Sequence, residues 1–161
     1  MEVTISAATS IDGYIANNEG ETDWVSDWEL FEKTCKAYGC IAMGRTTYEE
    51  GGSIFAGVQH IVLSTSHQRV RQGIHFVSSA KQAVDLAKRL GFTKLLVIGG
   101  SKTNQSFIES GLVEKLVVDV HPLILGEGKR LFGQERTKHK LHLVAAREYK
   151  EGFVHIEYEL G

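Results

Sequence analysis

Proline is nearly absent from this sequence, with Pro122 as its one occurrence, and cysteine is scarce, with only Cys35 and Cys40. A chain so poor in proline lacks the composition of a disordered tail or a flexible linker. Two cysteines outside a Cys-x-x-Cys pair favour buried reduced thiols over a disulfide framework. The sequence therefore predicts a compact globular protein that depends on its hydrophobic core.

The chain also lacks an excess of either charge, because 18 basic and 20 acidic side chains leave a formal net charge of -2. This balance excludes general electrostatic attraction to a polyanion, so we expect no nucleic-acid partner. No run approaches the roughly 20 apolar residues of a membrane span, and the first residues lack the basic and apolar regions of a secretory signal. We expect a cytoplasmic protein with no membrane partner.

With 161 residues, of which 42% are hydrophobic, the chain is long enough for one core. No internal repeat or low-complexity segment marks a boundary, so we predict a single domain over 1–161. The seven histidines are scattered, and His139 and His142 would point to opposite faces of a strand. We therefore expect no metal site.

Hydrophobic periodicity predicts alternating strands and helices. Strands are predicted over 2–10, 40–43, 60–63, 74–77, 94–98 and 115–120. Helices are predicted over 27–37, 79–90 and 101–110, with another helical stretch after Thr47. Two alternating segments, 141–149 and 153–160, predict a closing β-hairpin. This order favours an α/β fold, a mainly parallel sheet with helices on both faces.

Ligands of an open α/β sheet bind beyond the carboxyl ends of its strands. Three segments rich in glycine, hydroxyls or cations follow predicted strands, namely Met-Gly-Arg-Thr-Thr-Tyr-Glu at 43–49, Leu-Ser-Thr-Ser at 63–66 and Val-Ile-Gly-Gly-Ser-Lys-Thr-Asn at 97–104. Glycine allows close approach to an anion, helix-start N–H groups donate to it, and the Arg45 guanidinium can bind phosphate. Each segment alone also fits an ordinary turn or loop, but together they indicate one extended phosphate-bearing ligand.

These three segments, with Phe107 after the last, resemble the dihydrofolate reductase superfamily in the same order and over nearly the whole chain. Two more segments are similar to the RibD C-terminal domain, the reductase branch of riboflavin biosynthesis. They are Ser-Ile-Asp-Gly-Tyr-Ile-Ala at 10–16 and His-Pro-Leu-Ile-Leu-Gly-Glu-Gly at 121–128. The resemblance implies a three-layer α-β-α, dihydrofolate reductase-like fold with a C-terminal antiparallel hairpin.

The resemblance also implies NADPH as cofactor. The residues that would meet its adenosine side and 2′-phosphate are Arg45, Thr46, Ser64 and Thr65. Those that would approach the pyrophosphate are Thr47, Gly99, Gly100, Ser101, Lys102 and Thr103, with a cis peptide bond between the two adjacent glycines. Gly44 is a further predicted cofactor-binding residue. Those that match positions lining the nicotinamide are Ala8, Ile15 and Ala16, although ordinary core packing would also suit them.

Hydride transfer requires a group that polarises or protonates the substrate. Dihydrofolate reductases hold the pterin with an acid on the first helix, but an ungapped count back from Gly44 places Trp28 there. Asp27 and Glu29 flank that position and are our candidate catalytic carboxylates, with helix capping and a solvated face as their alternative roles. Trp24 is the candidate pocket wall for a flat heterocycle.

We therefore predict an NADPH-dependent reductase of a small heterocyclic substrate, of the (phosphoribosylamino)uracil reductase type. Dihydrofolate reduction and an NADPH-binding module without turnover are the alternatives. The residues that could bind a substrate phosphate are Lys102, Lys129 and Arg130. The resemblance also implies a homodimer, and the predicted C-terminal hairpin offers an edge to cover.

Overall fold

Strands and helices alternate along most of the chain, in a computed structural model that describes residues 1–51, 54–66, 71–134 and 138–161. The strands are β1 (Glu2–Thr9), β2 (Tyr14–Ala16), β3 (Cys40–Gly44), β4 (Gln59–Leu63), β5 (Ile74–Val77), β6 (Lys94–Val97), β7 (Lys115–Val120), β8 (Lys129–Arg130), β9 (Leu141–Glu148) and β10 (Val154–Leu160). The helices are α1 (Trp28–Tyr38), α2 (Arg45–Glu50), α3 (Ala80–Arg89) and α4 (Ser101–Glu109).

Eight of these strands form one sheet, in the order β5-β4-β3-β6-β1-β7-β10-β9. Neighbours from β5 to β7 are parallel, while β10 runs antiparallel to both β7 and β9. Parallel neighbours need crossover connections, and each of the helices α1 to α4 lies in a connection between two parallel strands of this sheet. The predicted fold, a mainly parallel sheet with a C-terminal antiparallel hairpin, is confirmed.

Hydrophobic side chains project from both faces of the sheet because successive residues of a strand point in opposite directions. On one face Val3 and Val97 pack with Ala83 of α3 and Phe107 of α4. The other face has a separate cluster, formed by Cys35, Ile41, Met43, Phe55, Val58, Val62 and Leu96. Each face is therefore covered by its own core, which gives the three layers.

The two thiols belong to these cores. Cys35 and Cys40 are both free and fully buried, in agreement with the sequence prediction. Burial raises the pKa of each thiol to about 12. Both therefore remain protonated and unreactive at neutral pH.

Helix boundaries follow local capping signals. The Ser79 side chain accepts a hydrogen bond from the N–H of Gln82 at the start of α3. Gly39 ends α1 in the left-handed conformation, at φ 71°. None of the helices in the described ranges is long and apolar enough to cross a membrane.

A small second sheet pairs β2 with β8, and it was not predicted. Tyr14 lies opposite Arg130, and Ala16 lies opposite Lys129. Gly128, at φ +141°, makes this pairing possible, because a Cβ there would collide with the carbonyl of Ala16. The sheet brings the segment after Pro122 onto the rim of the cleft described next.

Candidate active site

A cleft of about 1690 Å³ opens at the carboxyl ends of β1, β3, β4 and β6. Small-molecule sites usually measure roughly 300–1,000 Å³, so this cleft has room for two ligands side by side. Every residue predicted from the sequence to bind the cofactor lines it. The three separate glycine and hydroxyl segments thus meet in one place because they follow neighbouring parallel strands.

The glycine turns after β3 and β6 touch each other. The Gly44 N–H donates to the carbonyl of Gly99 over 2.8 Å. A Cβ on Gly44 would lie only 2.5 Å from the Thr103 hydroxyl oxygen, so this approach requires glycine. The peptide bond between Gly99 and Gly100 is cis, as the resemblance implies.

The N-terminus of α4 opens into the cleft. Gly100 is its N-cap and, among the described residues, no side chain caps this end. Ser101, Lys102 and Thr103 line the cleft here. First-turn N–H groups without side-chain acceptors, with a lysine beside them, are suited to a pyrophosphate.

The Arg45 guanidinium is held against the segment that follows β4. Its Nε donates to Glu49 over 2.6 Å, and one terminal nitrogen donates to the Ser66 hydroxyl over 2.8 Å. The hydroxyls of Ser64 and Ser66 lie 3.1 Å apart. The Arg45 side chain keeps 50% of its surface exposed, so this group of one cation and several hydroxyls can bind a phosphate from solution.

A buried pair of carboxyls lies at the inner end of the cleft. Asp27, at 5% exposure, lines the cleft, and its carboxyl is in hydrogen-bond contact with that of Asp119 on β7. Burial, and then the neighbouring Asp27 carboxyl, raise the pKa of Asp119 to about 9. Two ionised carboxylates in contact repel each other, so Asp119 retains its proton at neutral pH. Asp119 also lies in register with Ala8, one of the residues matched to the nicotinamide wall.

Sequence reasoning missed Asp119. One signal was available, an aspartate inside the apolar run Leu-Val-Val-Asp-Val at 116–120. A carboxyl buried in such a strand needs a partner or a proton. The identity of that partner depends on the tertiary structure.

His121 holds the two carboxyl-bearing segments together. The Ser26 N–H donates to its Nε2 over 3.1 Å, so the proton is on Nδ1, which donates to the carbonyl of Asp119 over 2.9 Å. The ring is therefore neutral, and its Nε2, 3.9 Å from Asp27, forms no ion pair. It packs against Trp24 and stacks on Phe153, with ring centroids 5.4 and 5.2 Å away.

Two of the sequence assignments need correction. The Trp24 ring does not line the cleft, because it packs edge-on against His121. Trp28 lines the cleft instead, 48% exposed and in contact with Phe31. Glu29 also lies outside the cleft, since its side chain is 85% exposed and pairs with Lys33 over 2.7 Å, which lowers its pKa. Of the two candidate acids, only Asp27 is at the site.

Comparison with known proteins assigns this chain to a family. The model of the RibD C-terminal domain matches residues 1–155. The chain belongs to the RibD C-terminal domain family. The residues that line the cleft all fall within the matched range.

Its relatives and structural neighbours span nearly the whole domain. Uncharacterized protein YyaP of Bacillus subtilis is 24% identical, with 97% of this chain and 93% of that protein covered. A provisionally assigned riboflavin biosynthesis protein from Shewanella sp. PV-4 superposes with a TM-score of 0.83 at 23% identity, with 100% and 99% covered. Both likenesses extend along the full chain, and the second shows the fold.

A bifunctional protein of Thermotoga maritima shares the fold over part of its length. It is a diaminohydroxyphosphoribosylaminopyrimidine deaminase/5-amino-6-(5-phosphoribosylamino)uracil reductase, with a TM-score of 0.79 at 16% identity. The match covers 99% of this chain but 56% of that protein. This RibD C-terminal domain thus corresponds to one part of the longer protein.

Two of the three predicted cations face the cleft of this RibD C-terminal domain. Lys102 and Lys129 line it, whereas Arg130 stacks over the Tyr14 ring at 5.3 Å. The described residues contain no group of three or more histidine, cysteine, aspartate or glutamate side chains that could hold a metal ion, and His67 lies outside the described residues. The polar lining of this cleft includes Lys102, Lys129, Arg45 and several hydroxyl side chains.

Proposed function

We propose that this chain is an NADPH-dependent reductase that transfers a hydride to a heterocyclic substrate, of the 5-amino-6-(5-phosphoribosylamino)uracil reductase type. One observation carries the proposal. A single cleft joins a set of phosphate-binding groups to a buried, proton-retaining carboxyl pair. The RibD C-terminal family supports the same reaction class, and the Thermotoga maritima neighbour names the substrate type.

The residues of the cleft suit NADPH. The uncapped start of α4 would bind the pyrophosphate, and Arg45 with Ser64 would bind the 2′-phosphate. Ala8, Ile15 and Ala16 would form the apolar wall for the nicotinamide. When bound, NADPH would supply the hydride, while the chain orients the two ligands and excludes water.

Asp27 would supply the proton. Reduction of a C=N or C=O bond by hydride leaves a negative heteroatom that must be protonated, and Asp27 on the cleft wall can deliver the proton held by its neighbour Asp119. Trp28 would pack against the flat heterocycle from the cleft rim. Lys102 and Lys129 would bind a phosphate on the substrate.

Dihydrofolate reduction is a second candidate because Asp27 lies in the cleft. Dihydrofolate reductases hold their pterin with an acid from the first helix, and here the residue that caps α1 supplies a buried carboxyl. Folate carries glutamate carboxylates where the aminopyrimidine substrate carries a phosphate, and lysines bind either anion. Both substrates should therefore be tested side by side.

The deciding experiment follows the absorbance of NADPH with purified protein and either the phosphoribosylaminouracil intermediate or dihydrofolate. We expect oxidation with the first. Asp27→Asn should lower kcat by about 10²–10⁴-fold while NADPH still binds, because the proton donor is lost. The matched control, Glu29→Gln, removes an exposed carboxylate on the same helix and should leave kcat unchanged.

Three outcomes would change the proposal. Oxidation with dihydrofolate alone would select the second candidate. Stoichiometric NADPH binding with no oxidation of either substrate would leave a binding module without turnover. An equal loss of kcat in Asp27→Asn and Glu29→Gln would show that Asp27 is not the proton donor.

A further inference from the structure

A row of polar side chains leads from Asp27, away from the cleft, across β7 and β10. The Asp27 carboxyl contacts that of Asp119, and Oδ1 of Asp119 lies 2.6 Å from Nδ1 of His155. Nε2 of His155 lies 3.2 Å from Glu157. His155 is the direct cross-strand partner of Asp119, and Glu157 follows two residues later on the same face of β10.

The row runs from a buried interior to an exposed salt bridge. The side chains of Asp119 and His155 are 7% and 13% exposed, whereas that of Glu157 is 33% exposed. Arg147 of β9, 60% exposed, lies 3.4 Å from the Glu157 carboxylate. Neither His155, Glu157 nor Arg147 lines the cleft. The row therefore reaches Asp27 from behind the binding site.

The geometry explains how the proton of the carboxyl pair can be held. Nδ1 of His155 donates to Oδ1 of Asp119, while its Nε2 lies beside the Glu157 carboxylate. The second oxygen of Asp119 is then free to carry a proton and donate it to Asp27. Tyr149, with its ring 5.9 Å from that of His155, and the neutral His121 complete the surroundings.

We propose that Asp119, supported by His155, is the proton reserve of Asp27. The inference rests on the proposed function and deepens it by naming the residues that store the proton which Asp27 delivers while both ligands fill the cleft. Asp119 passes its proton to the Asp27 carboxylate, and Asp27 gives that proton to the reduced substrate. The new Asp119 carboxylate then accepts the hydrogen bond from Nδ1 of His155.

The cycle closes without any other reactant. After product leaves, water enters the cleft and returns one proton to the carboxyl pair. The net transfer is one proton from water to the substrate, and every side chain ends in its initial state. Asp119 does not touch the substrate in this scheme, so it acts through Asp27 and is a positioning residue.

The first test needs no turnover. Carbon-13 NMR of labelled aspartate carboxyls follows Asp119 through a pH titration of the whole protein. Asp119 should stay protonated through neutral pH, Asp27→Asn should move its titration midpoint to lower pH, and His155→Gln should move it to higher pH. A midpoint near its ordinary value, or one that neither substitution moves, would overturn the reserve.

The second test uses NADPH oxidation with the phosphoribosylaminouracil intermediate. Asp119→Asn and His155→Gln should lower kcat by about tenfold or more and shift its pH profile, because Asp27 no longer receives a proton from Asp119. The affinity for NADPH should stay unchanged, because the binding residues are intact. His142→Gln, an exposed histidine on the neighbouring strand β9, is the matched control and should change none of these values. Unchanged kcat and pH profile in Asp119→Asn would also overturn the reserve.

The two proposals fail separately. If the wild type oxidises no NADPH but Asp119 titrates together with Asp27 as expected, the shared proton is supported and only the reductase is overturned. If the wild type turns over but Asp119 titrates independently, the reductase stands and the reserve is wrong. His155→Gln supplies the titration and kinetic readouts even if Asp119→Asn does not fold.

Discussion

At the scale of single residues, Asp119 should affect how stability depends on pH. Its pKa rises from an ordinary value of 3.8 to about 9 in the folded protein. Between these values the folded chain keeps a proton that the unfolded chain has lost, so the free energy of unfolding should fall as pH rises from about 4 to about 9. Chemical denaturation at several pH values measures this slope, and Asp119→Asn should make it flatter.

The control is a carboxylate whose pKa shifts the other way. Asp85 pairs with Lys81 on the surface, which lowers its pKa, so Asp85→Asn should leave the slope between neutral and alkaline pH as it was. If Asp119→Asn kept the wild-type slope, the buried proton would have to be assigned elsewhere.

Arg45 should determine which dinucleotide is preferred. Charge-assisted hydrogen bonds contribute about 1.5–3 kcal/mol, so Arg45→Ala should weaken NADPH binding by roughly 10–100-fold and NADH binding much less. Calorimetric titration with each dinucleotide measures both affinities. Arg89→Ala, an exposed arginine of α3 outside the cleft, is the control. Equal losses for NADPH and NADH would place the 2′-phosphate somewhere else.

Local sequence predicts the part of the cleft proposed to bind NADPH better than the part proposed to bind the substrate. Gly44 ends β3, Ser64 follows β4 and Gly99 lies two residues after β6. The carboxyl ends of parallel strands meet at one edge, so their meeting could be anticipated. Asp119 and His155 come together only because β10 pairs with β7. Nothing within either strand specifies that register.

The two tryptophans show a second limit of prediction from the sequence. Both Trp24 and Trp28 lie near the start of α1, and spacing alone does not say which ring faces the cleft. The hydrogen bond from Ser26 to His121 draws the preceding segment inward, so Trp24 packs on that histidine while Trp28 stays on the rim. A contact between residues 95 positions apart in sequence therefore determines which tryptophan faces the cleft.

At the scale of elements, the contact between the ends of β3 and α4 should be the most sensitive to added volume. Gly44→Ala would place its Cβ against the Thr103 hydroxyl, so we expect a loss of about 1–3 kcal/mol in the free energy of unfolding and weaker NADPH binding. Urea denaturation measures the first and calorimetric titration the second.

A double substitution tests the cause. Thr103→Ala removes the colliding hydroxyl, so Gly44→Ala with Thr103→Ala should be more stable than the sum of the two single losses implies. Additive losses would mean that Gly44 is required for another reason.

The elements themselves were largely predictable. Strand and helix periodicities gave bounds within about two residues of those observed for α3, β6 and β7. The short strands β2 and β8 escaped prediction because, with three and two residues, they have no period to detect. They form because Gly128 lets two distant backbone segments come into contact.

At the scale of the whole molecule, we expect two copies of the chain to pair. The edge strand β9 exposes Leu141, Leu143 and Val144 by 40%, 63% and 54%, and Val154 at the start of its neighbour β10 is 38% exposed. An exposed apolar edge of eight residues is readily covered by a second copy. Light scattering at micromolar concentration should therefore give a dimer.

Lysine substitutions on strand β9 test whether this edge forms the dimer interface. Leu143→Lys and Val144→Lys together should shift the protein to monomer. Leu90→Lys, at an apolar position 40% exposed beside α3, should leave the dimer intact. A wild type that scatters as a monomer would reject the pairing altogether.

The central position of β1 has a consequence for synthesis on the ribosome. One edge of this strand hydrogen-bonds to β6 and the other to β7, so Glu2–Thr9 must wait for Lys94–Val97 and then Lys115–Val120 to be translated. Until then its apolar side chains, such as Val3 and Ile5, have no sheet to join. Such non-local pairing is slow and leaves a nascent chain prone to aggregation. Efficient expression of this protein should therefore depend on chaperones that bind β1 before the second half of the sheet emerges.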